Sequence, residues 1–281
     1  MPTNYNFCNK LFHRCGIAGM RMLPDNFVPL TVTSPPYDGI HEFGGYPFNF
    51  KAMAKGGVVC WHVQEEIRNG SESGTSSEQR LYFRDVGFRL HHTMIIDTVG
   101  GHISSRVRYG ASLQYLFVLS KGKPRTFNPI CDIENKHAGK RSGFYQRRNA
   151  GSIRYRSTVT IKDKRVRGPV WRLNPGSHNT RDSETRQQPA LMHEELARDL
   201  ITSWSKEGDL VLDPMNGAGT TSKMALLSNR YYLGFEINRE YDDLAVTRLE
   251  KTAHSVSNHN EREQIISKLG RRVENDGIES A

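Results

Sequence analysis

The chain has 281 residues, with 39 Lys and Arg against 30 Asp and Glu, for a formal net charge of +9. At a soft prior of roughly 150 residues per domain, that length accommodates one large domain and one smaller one. No apolar run reaches membrane length and the polar start MPTNYNFCNK does not resemble a secretory signal, so a soluble, cytoplasmic protein is expected. Cys8, Cys15, Cys60 and Cys131 are too few and too scattered for a disulfide framework. Cys8, His13 and Cys15 lie close together, but no second ligand pair at zinc spacing accompanies them, and no metal site is expected.

In chain order, the first clear strand is 28–33 (VPLTVT), which runs into Ser34-Pro35-Pro36-Tyr37. Further short runs rich in Val, Ile, Leu and aromatics predict strands at 57–63, 88–96 and 113–120. Residues 69–79 (NGSESGTSSEQ) hold almost nothing to bury and read as a surface loop. Between Lys121 and Arg172 there are 15 Lys and Arg against 3 acids, a balance of +12, so the rest of the chain sums to 9 − 12 = −3. Cations alternate there with Phe127, Phe144, Tyr145, Tyr155 and Trp171, a mixture suited to phosphates and unstacked bases. Helical periodicity follows at 192–206, 219–229 and 239–252, with strands between them at 210–213 and 231–237. From Thr252 the chain is polar and reads as a tail. Strands alternating with helices, some of them apolar throughout, predict an α/β sheet covered on both faces.

Two stretches carry the chemistry. A strand ending in a rigid Ser-Pro-Pro turn projects a hydroxyl, fixed carbonyls and the Tyr37 ring into the cleft at the strand's end, a pocket for a flat group bearing an amine. The second stretch, Val211 to Thr221, reads strand, Gly turn, helix start, with Gly217 and Gly219 permitting close backbone approach. The next strand ends in Glu236, 23 positions after Asp213, where a carboxylate meets ribose hydroxyls in nucleoside-binding folds. Ser222 occupies the third-glycine position of the dinucleotide fingerprint, and Asp213 would repel a pyrophosphate. A cofactor with a cationic ammonium and sulfonium fits instead, and S-adenosylmethionine is the expected one.

With TSPPY at a strand end and DPMNGAGTT opening a helix, the chain resembles the amino-group DNA methyltransferases. The motif order, SPPY first and the glycine loop last, is similar to the permuted (beta) class of that family. The resemblance implies a Rossmann-like S-adenosylmethionine-dependent methyltransferase fold: a mixed, mainly parallel sheet flanked by helices, circularly permuted, with a smaller basic target-recognition region. It divides the chain into a catalytic half (1–120), a target-recognition region (121–188), a cofactor-binding half (189–252) and a tail (253–281). It implies catalysis by Ser34, Pro35, Pro36 and Tyr37, and cofactor contacts from Asp213, Pro214, Met215, Gly217, Gly219, Thr220, Thr221 and Glu236. Here Met215 stands where the family commonly has Phe, and Ala218 where it has Ser.

SPPY resembles the enzymes that make N4-methylcytosine in duplex DNA, and N6-methyladenine is the alternative. A catalytically silent DNA-binding protein of the same fold and an RNA-directed enzyme are the rival readings. Arg141, Arg147, Arg148, Arg165 and Arg167 are the expected DNA-binding cations. The resemblance further implies a prokaryotic or phage-encoded protein, acting as a monomer or homodimer in a restriction-modification system with a cognate restriction endonuclease as candidate partner.

Overall fold

A computed structural model describes residues 5–35, 49–65, 67–98, 113–147, 153–173, 180, 182 and 191–255. A short 310 turn (Tyr5–Phe7) leads into β1 (Lys10–His13), α1 (Gly16–Arg21), β2 (Val28–Thr33) and β3 (Met53–Val63). Then come β4 (Ile67–Arg68), β5 (Ser71–Glu72), α2 (Thr75–Asp85), β6 (Arg89–Thr98) and β7 (Leu113–Ser120). A stretch of strands follows: β8 (Cys131–Glu134), β9 (Arg141–Arg147), β10 (Ile153–Thr160), β11 (Lys164–Val166) and β12 (Val170–Leu173). The chain finishes with α3 (Glu194–Trp204), β13 (Leu210–Asp213), α4 (Thr220–Leu227), β14 (Tyr231–Glu236) and α5 (Arg239–Ser255).

Among the described residues eight strands form one sheet in the order β1-β14-β13-β2-β3-β7-β6-β12. The pairs from β1 through β3 are parallel, β7 is antiparallel to both β3 and β6, and β12 is parallel to β6. The expected mixed, mainly parallel sheet is therefore present. Alternation along the strands sorts the side chains. Val59, Trp61 and Val63 of β3, Phe117 and Leu119 of β7, and Leu233 and Phe235 of β14 join Met20 of α1 and Phe83 of α2 in one apolar core. The intervening Val58, Cys60, Leu116, Val118 and Tyr232 are buried too, while α3, α4 and α5 pack against β2, β13 and β14. No described helix is long and apolar enough to cross a membrane.

The chain divides into two compact units, 129–169 on the one hand and 1–128 with 170–281 on the other. The smaller unit lies within the segment expected as 121–188, and its described residues form two antiparallel pairs, β9 with β10 and β8 with β11. Val170–Leu173, which the expected boundaries placed with it, is instead a strand of the large sheet.

The loop expected at 69–79 is a correction. Ser71–Glu72 is a strand and α2 starts at Thr75, with Thr75, Ser76 and Gln79 buried. Polar partners replace the apolar stripe that a surface helix normally shows. Trp61 Nε1 donates to Gln79 Oε1 at 2.6 Å, and Glu65 accepts from the Ser73 hydroxyl and from both the amide and hydroxyl of Ser76.

Helix α1 lies against β14 so closely that a Cβ on Gly19 would come within 2.4 Å of the Phe235 ring, which is fully buried and tilted against the Phe12 ring. Gly19→Ala is expected to cost about 1–3 kcal/mol through overpacking. Urea unfolding reads this as a lower midpoint; a midpoint equal to the parent's would mean that α1 can shift away freely.

Candidate active site

The two motif strands are neighbours. β2 and β13 pair in parallel, with Val211 opposite Leu30 and Leu212 opposite Thr31, so Thr33-Ser34-Pro35 and Asp213-Pro214 leave the same edge of the sheet. From β2 the chain returns in β3 on one side, whereas from β13 it returns through α4 in β14 on the other. In an open α/β sheet such a reversal leaves a crevice outside the carboxyl ends of the strands, the usual place for a ligand.

Hydrogen bonds tie the two ends together. The Thr33 hydroxyl donates to Asp213 Oδ1 at 2.6 Å, and the Thr221 hydroxyl of α4 donates to the Val32 carbonyl at 3.2 Å. Asp213 also accepts the Met215 N–H at 3.1 Å. It is only 4% exposed, and burial pushes its carboxyl up to about 6. Bonds from Thr33 and Met215 oppose that rise, and the nearby Glu236 charge adds to it. Glu236, at the end of β14, accepts the Gly217 N–H at 2.7 Å and the Asn238 N–H at 2.8 Å, yet burial still raises its carboxyl above the ordinary value. Among the described residues neither of these two buried carboxylates forms an ion pair.

The glycines do what the turn requires. Gly217 and Gly219 take φ of 49° and 77°, the left-handed region that side chains disfavour, and a Cβ on Gly219 would lie 2.8 Å from that of Ala245 on α5. Pro214 is buried and Met215, half-buried, packs against the apolar core. Thr220 and Thr221 are buried braces: Thr220 receives a bond from Arg248, and Thr221 reaches β2. Ser34 is half-buried and Pro35 buried, whereas Pro36 and Tyr37 lie outside the described residues.

His62 had no signal in the sequence. Thr33 pairs with Trp61, so His62 stands one position further, level with Ser34. Its Nε2 donates to Gln114 Oε1 at 2.8 Å, and Gln114 in turn donates to Gln64 at 2.9 Å. Burial lowers its pKa to about 4, against the Gln114 bond and helped by His193, so the ring is neutral at physiological pH. Its Nδ1 is buried with no partner among the described residues. No group of three His, Cys, Asp or Glu among those residues is placed to hold a metal ion.

Of the expected DNA-binding cations, Arg141 and Arg165 are exposed on the 129–169 unit. Arg167, half-buried, is bonded to Asp132, its Nε lying 2.9 Å from Oδ2. Arg147 ends β9, but its side chain, like all of Arg148, lies outside the described residues.

Known proteins share this architecture. Residues 28–247 match the family model for N6/N4 DNA methylases. An orphan methyltransferase, M.BamHII of Bacillus amyloliquefaciens, is 43% identical over 239 residues, covering 80% of this chain and 90% of its own. The DNA adenine methyltransferase YhdJ of Escherichia coli K12 is 27% identical over 270 residues, covering 90% and 87%. In fold, the chain is similar to the cytosine-N4-specific PvuII DNA methyltransferase, with a TM-score of 0.65, 17% identity and 96% of both chains covered. A crevice at the β2/β13 switch point, where the strands leading to Ser34-Pro35 and to the glycine loop end, thus sits inside a family match that spans most of the sequence: the chain belongs to the N6/N4 DNA methylase family, whose members transfer methyl groups to DNA.

Proposed function

We propose that this protein methylates the exocyclic N4 amine of cytosine in duplex DNA, using S-adenosylmethionine held by Asp213, Pro214, Met215, Gly217, Gly219 and Glu236. The observation that carries the reading is the Thr33–Asp213 hydrogen bond, because it sets the amine-binding strand end beside the cofactor-binding one. The two buried carboxylates suit this cofactor: Asp213 complements a cationic ammonium and sulfonium, and Glu236 complements ribose hydroxyls. When bound, S-adenosylmethionine supplies an electrophilic methyl group.

The protein's own part is orientation. An aromatic amine is a weak nucleophile because its lone pair is delocalised into the ring. Ser34 Oγ and the Pro35 carbonyl accept its two N–H bonds and localise that pair on nitrogen. Tyr37 stacks on the base, which must leave the duplex at a cost of a few kcal/mol. No covalent intermediate is needed. The 129–169 unit, with 11 Lys and Arg against 3 acids, serves as the target-recognition region. Arg141, Arg147, Arg148 and Arg165 hold phosphates or read guanine edges, while Arg167 is committed to Asp132. In a restriction-modification system, a cognate restriction endonuclease would share the recognised site.

Adenine N6 is the second reading, favoured by the 27% identity to a protein described as a DNA adenine methyltransferase. Duplexes lacking either cytosine or adenine, incubated with labelled S-adenosylmethionine, separate the two. Label is expected only where cytosine is present; label in the cytosine-free duplex refutes the choice of base. Ser34→Ala is expected to slow transfer roughly a hundredfold or more while S-adenosylmethionine still binds. Parental turnover by that variant removes the mechanism.

Asp213 also makes a pH prediction. Its folded pKa lies above the ordinary carboxylate value, so its contribution to the stability of the free protein is fully present below about pH 4 and is lost as pH rises through about 6. A cation beside it favours the ionised form. Cofactor affinity is therefore expected to rise from about pH 5 to about pH 7, and Asp213→Asn to remove most of that rise. Calorimetric titration at each pH checks it, and a parental pH dependence in the variant contradicts it.

A further inference from the structure

Behind the glycine loop lies a group of charged side chains that the proposed reaction does not use. Arg248 of α5 is 1% exposed and directs its whole guanidinium inward. Its Nη1 donates to the Ala218 carbonyl at 2.5 Å and to the Thr220 hydroxyl at 3.2 Å. Its Nε donates to Asp182 Oδ2 at 2.7 Å, and its Nη2 to Glu194 Oε1 at 3.0 Å. Lys223 of α4 reaches the same two carboxylate oxygens, each at 2.8 Å. Thr180 donates to Glu194 at 2.7 Å and accepts the Asp182 amide at 3.1 Å. Two cations thus face two anions, largely out of water, with oxygen acceptors for all three guanidinium nitrogens.

Stability alone is a poor reason for such a cluster, because desolvating four charges consumes most of what their attraction returns. What a satisfied, planar guanidinium does provide is a fixed geometry. The atoms it fixes belong to the glycine loop. Glu236 holds the loop by the Gly217 amide, while Arg248 holds the next residue by its carbonyl. One turn earlier on α5, Ala245 fills the space that Gly219 leaves empty. The loop is gripped from two directions, and α5 supplies one of them.

We infer that Arg248 is a positioning residue for S-adenosylmethionine binding, setting the Ala218–Thr220 backbone, and that Asp182 and Glu194, shared with Lys223, aim its guanidinium. The inference rests on the cofactor site proposed above. Arg248 does not touch the cofactor; it acts through the loop. Lysine is not an adequate replacement, since a single ammonium cannot hold the Ala218 carbonyl and both carboxylates in one plane.

The test uses the full chain and three variants, Asp182→Asn, Arg248→Lys and Glu236→Gln. Each is titrated calorimetrically with S-adenosylmethionine and melted without it, and KM for S-adenosylmethionine and for unmethylated genomic DNA are measured separately. Asp182→Asn, at the most exposed member of the cluster, and Arg248→Lys are expected to weaken cofactor binding about tenfold, with KM for DNA unchanged. If Arg248→Lys does not fold, Asp182→Asn decides alone. Lower melting temperatures with parental cofactor affinity overturn the inference, since that is what a purely structural cluster would show. Should Glu236→Gln weaken binding while the other two do not, only the positioning role fails. Should all three bind like the parent, the cofactor site itself is misplaced.

Discussion

The parallel pairing of β2 with β13 is the constraint from which the site follows. Thr33 and Asp213 are 180 positions apart in the chain, yet a 2.6 Å hydrogen bond joins them where the two strands end. Neither strand end is a site by itself. β2 runs out into Ser34 and Pro35, the proposed amine acceptors, and β13 into a glycine turn behind a buried acid, the proposed cradle for the cofactor. The pairing makes them walls of one crevice, and the reversal of chain direction on either side of it leaves that crevice open.

Electrostatics gives the crevice its character. Two carboxylates, Asp213 and Glu236, are buried within it and raised in pKa by desolvation, and their described partners are hydroxyls and backbone amides rather than cations. Immediately behind the same loop, Asp182 and Glu194 are matched by Arg248 and Lys223. Asp182 accordingly lies below the usual carboxylate range: burial pushes it up, and the bonds from Lys223 and Arg248 more than reverse that. Neighbouring acids thus meet opposite fates. The first pair, without a cation partner among the described residues, lies where a cationic ligand is proposed, and the second, matched pair lies behind the loop, bonded to the arginine that holds the Ala218 carbonyl.

Much of the fold was legible because burial on both faces writes itself as uninterrupted apolar runs. VPLTVT, LQYLFVLS and LVLD occupy β2, β7 and β13 at the expected bounds. The helices at 192–206, 219–229 and 239–252 exist as α3, α4 and α5 with ends shifted by a few residues. What stayed hidden was buried through polar contacts. Helix α2 presents Thr75, Ser76 and Gln79 to the interior, satisfied by Glu65 and the Trp61 indole, so its sequence reads as a loop. β1 is four residues long and begins and ends in the polar Lys10 and His13, too short and polar to show a period. At the site, the glycine turn and Glu236 could be read from spacing. His62, Asp182 and Arg248 could not, since the partners of their side chains lie 28 to 68 positions away and no local pattern marks them.

The central claim is that one cavity between β2 and β13 receives both the methyl donor and the base. A crystal structure of the full chain with a non-reactive S-adenosylmethionine analogue and a duplex containing its recognition site tests this most directly. The account predicts the analogue against Asp213, Gly217 and Glu236, and an extrahelical base whose amine meets Ser34 Oγ and the Pro35 carbonyl. An analogue bound away from the glycine loop, or a base held on the opposite edge of the sheet, would contradict it.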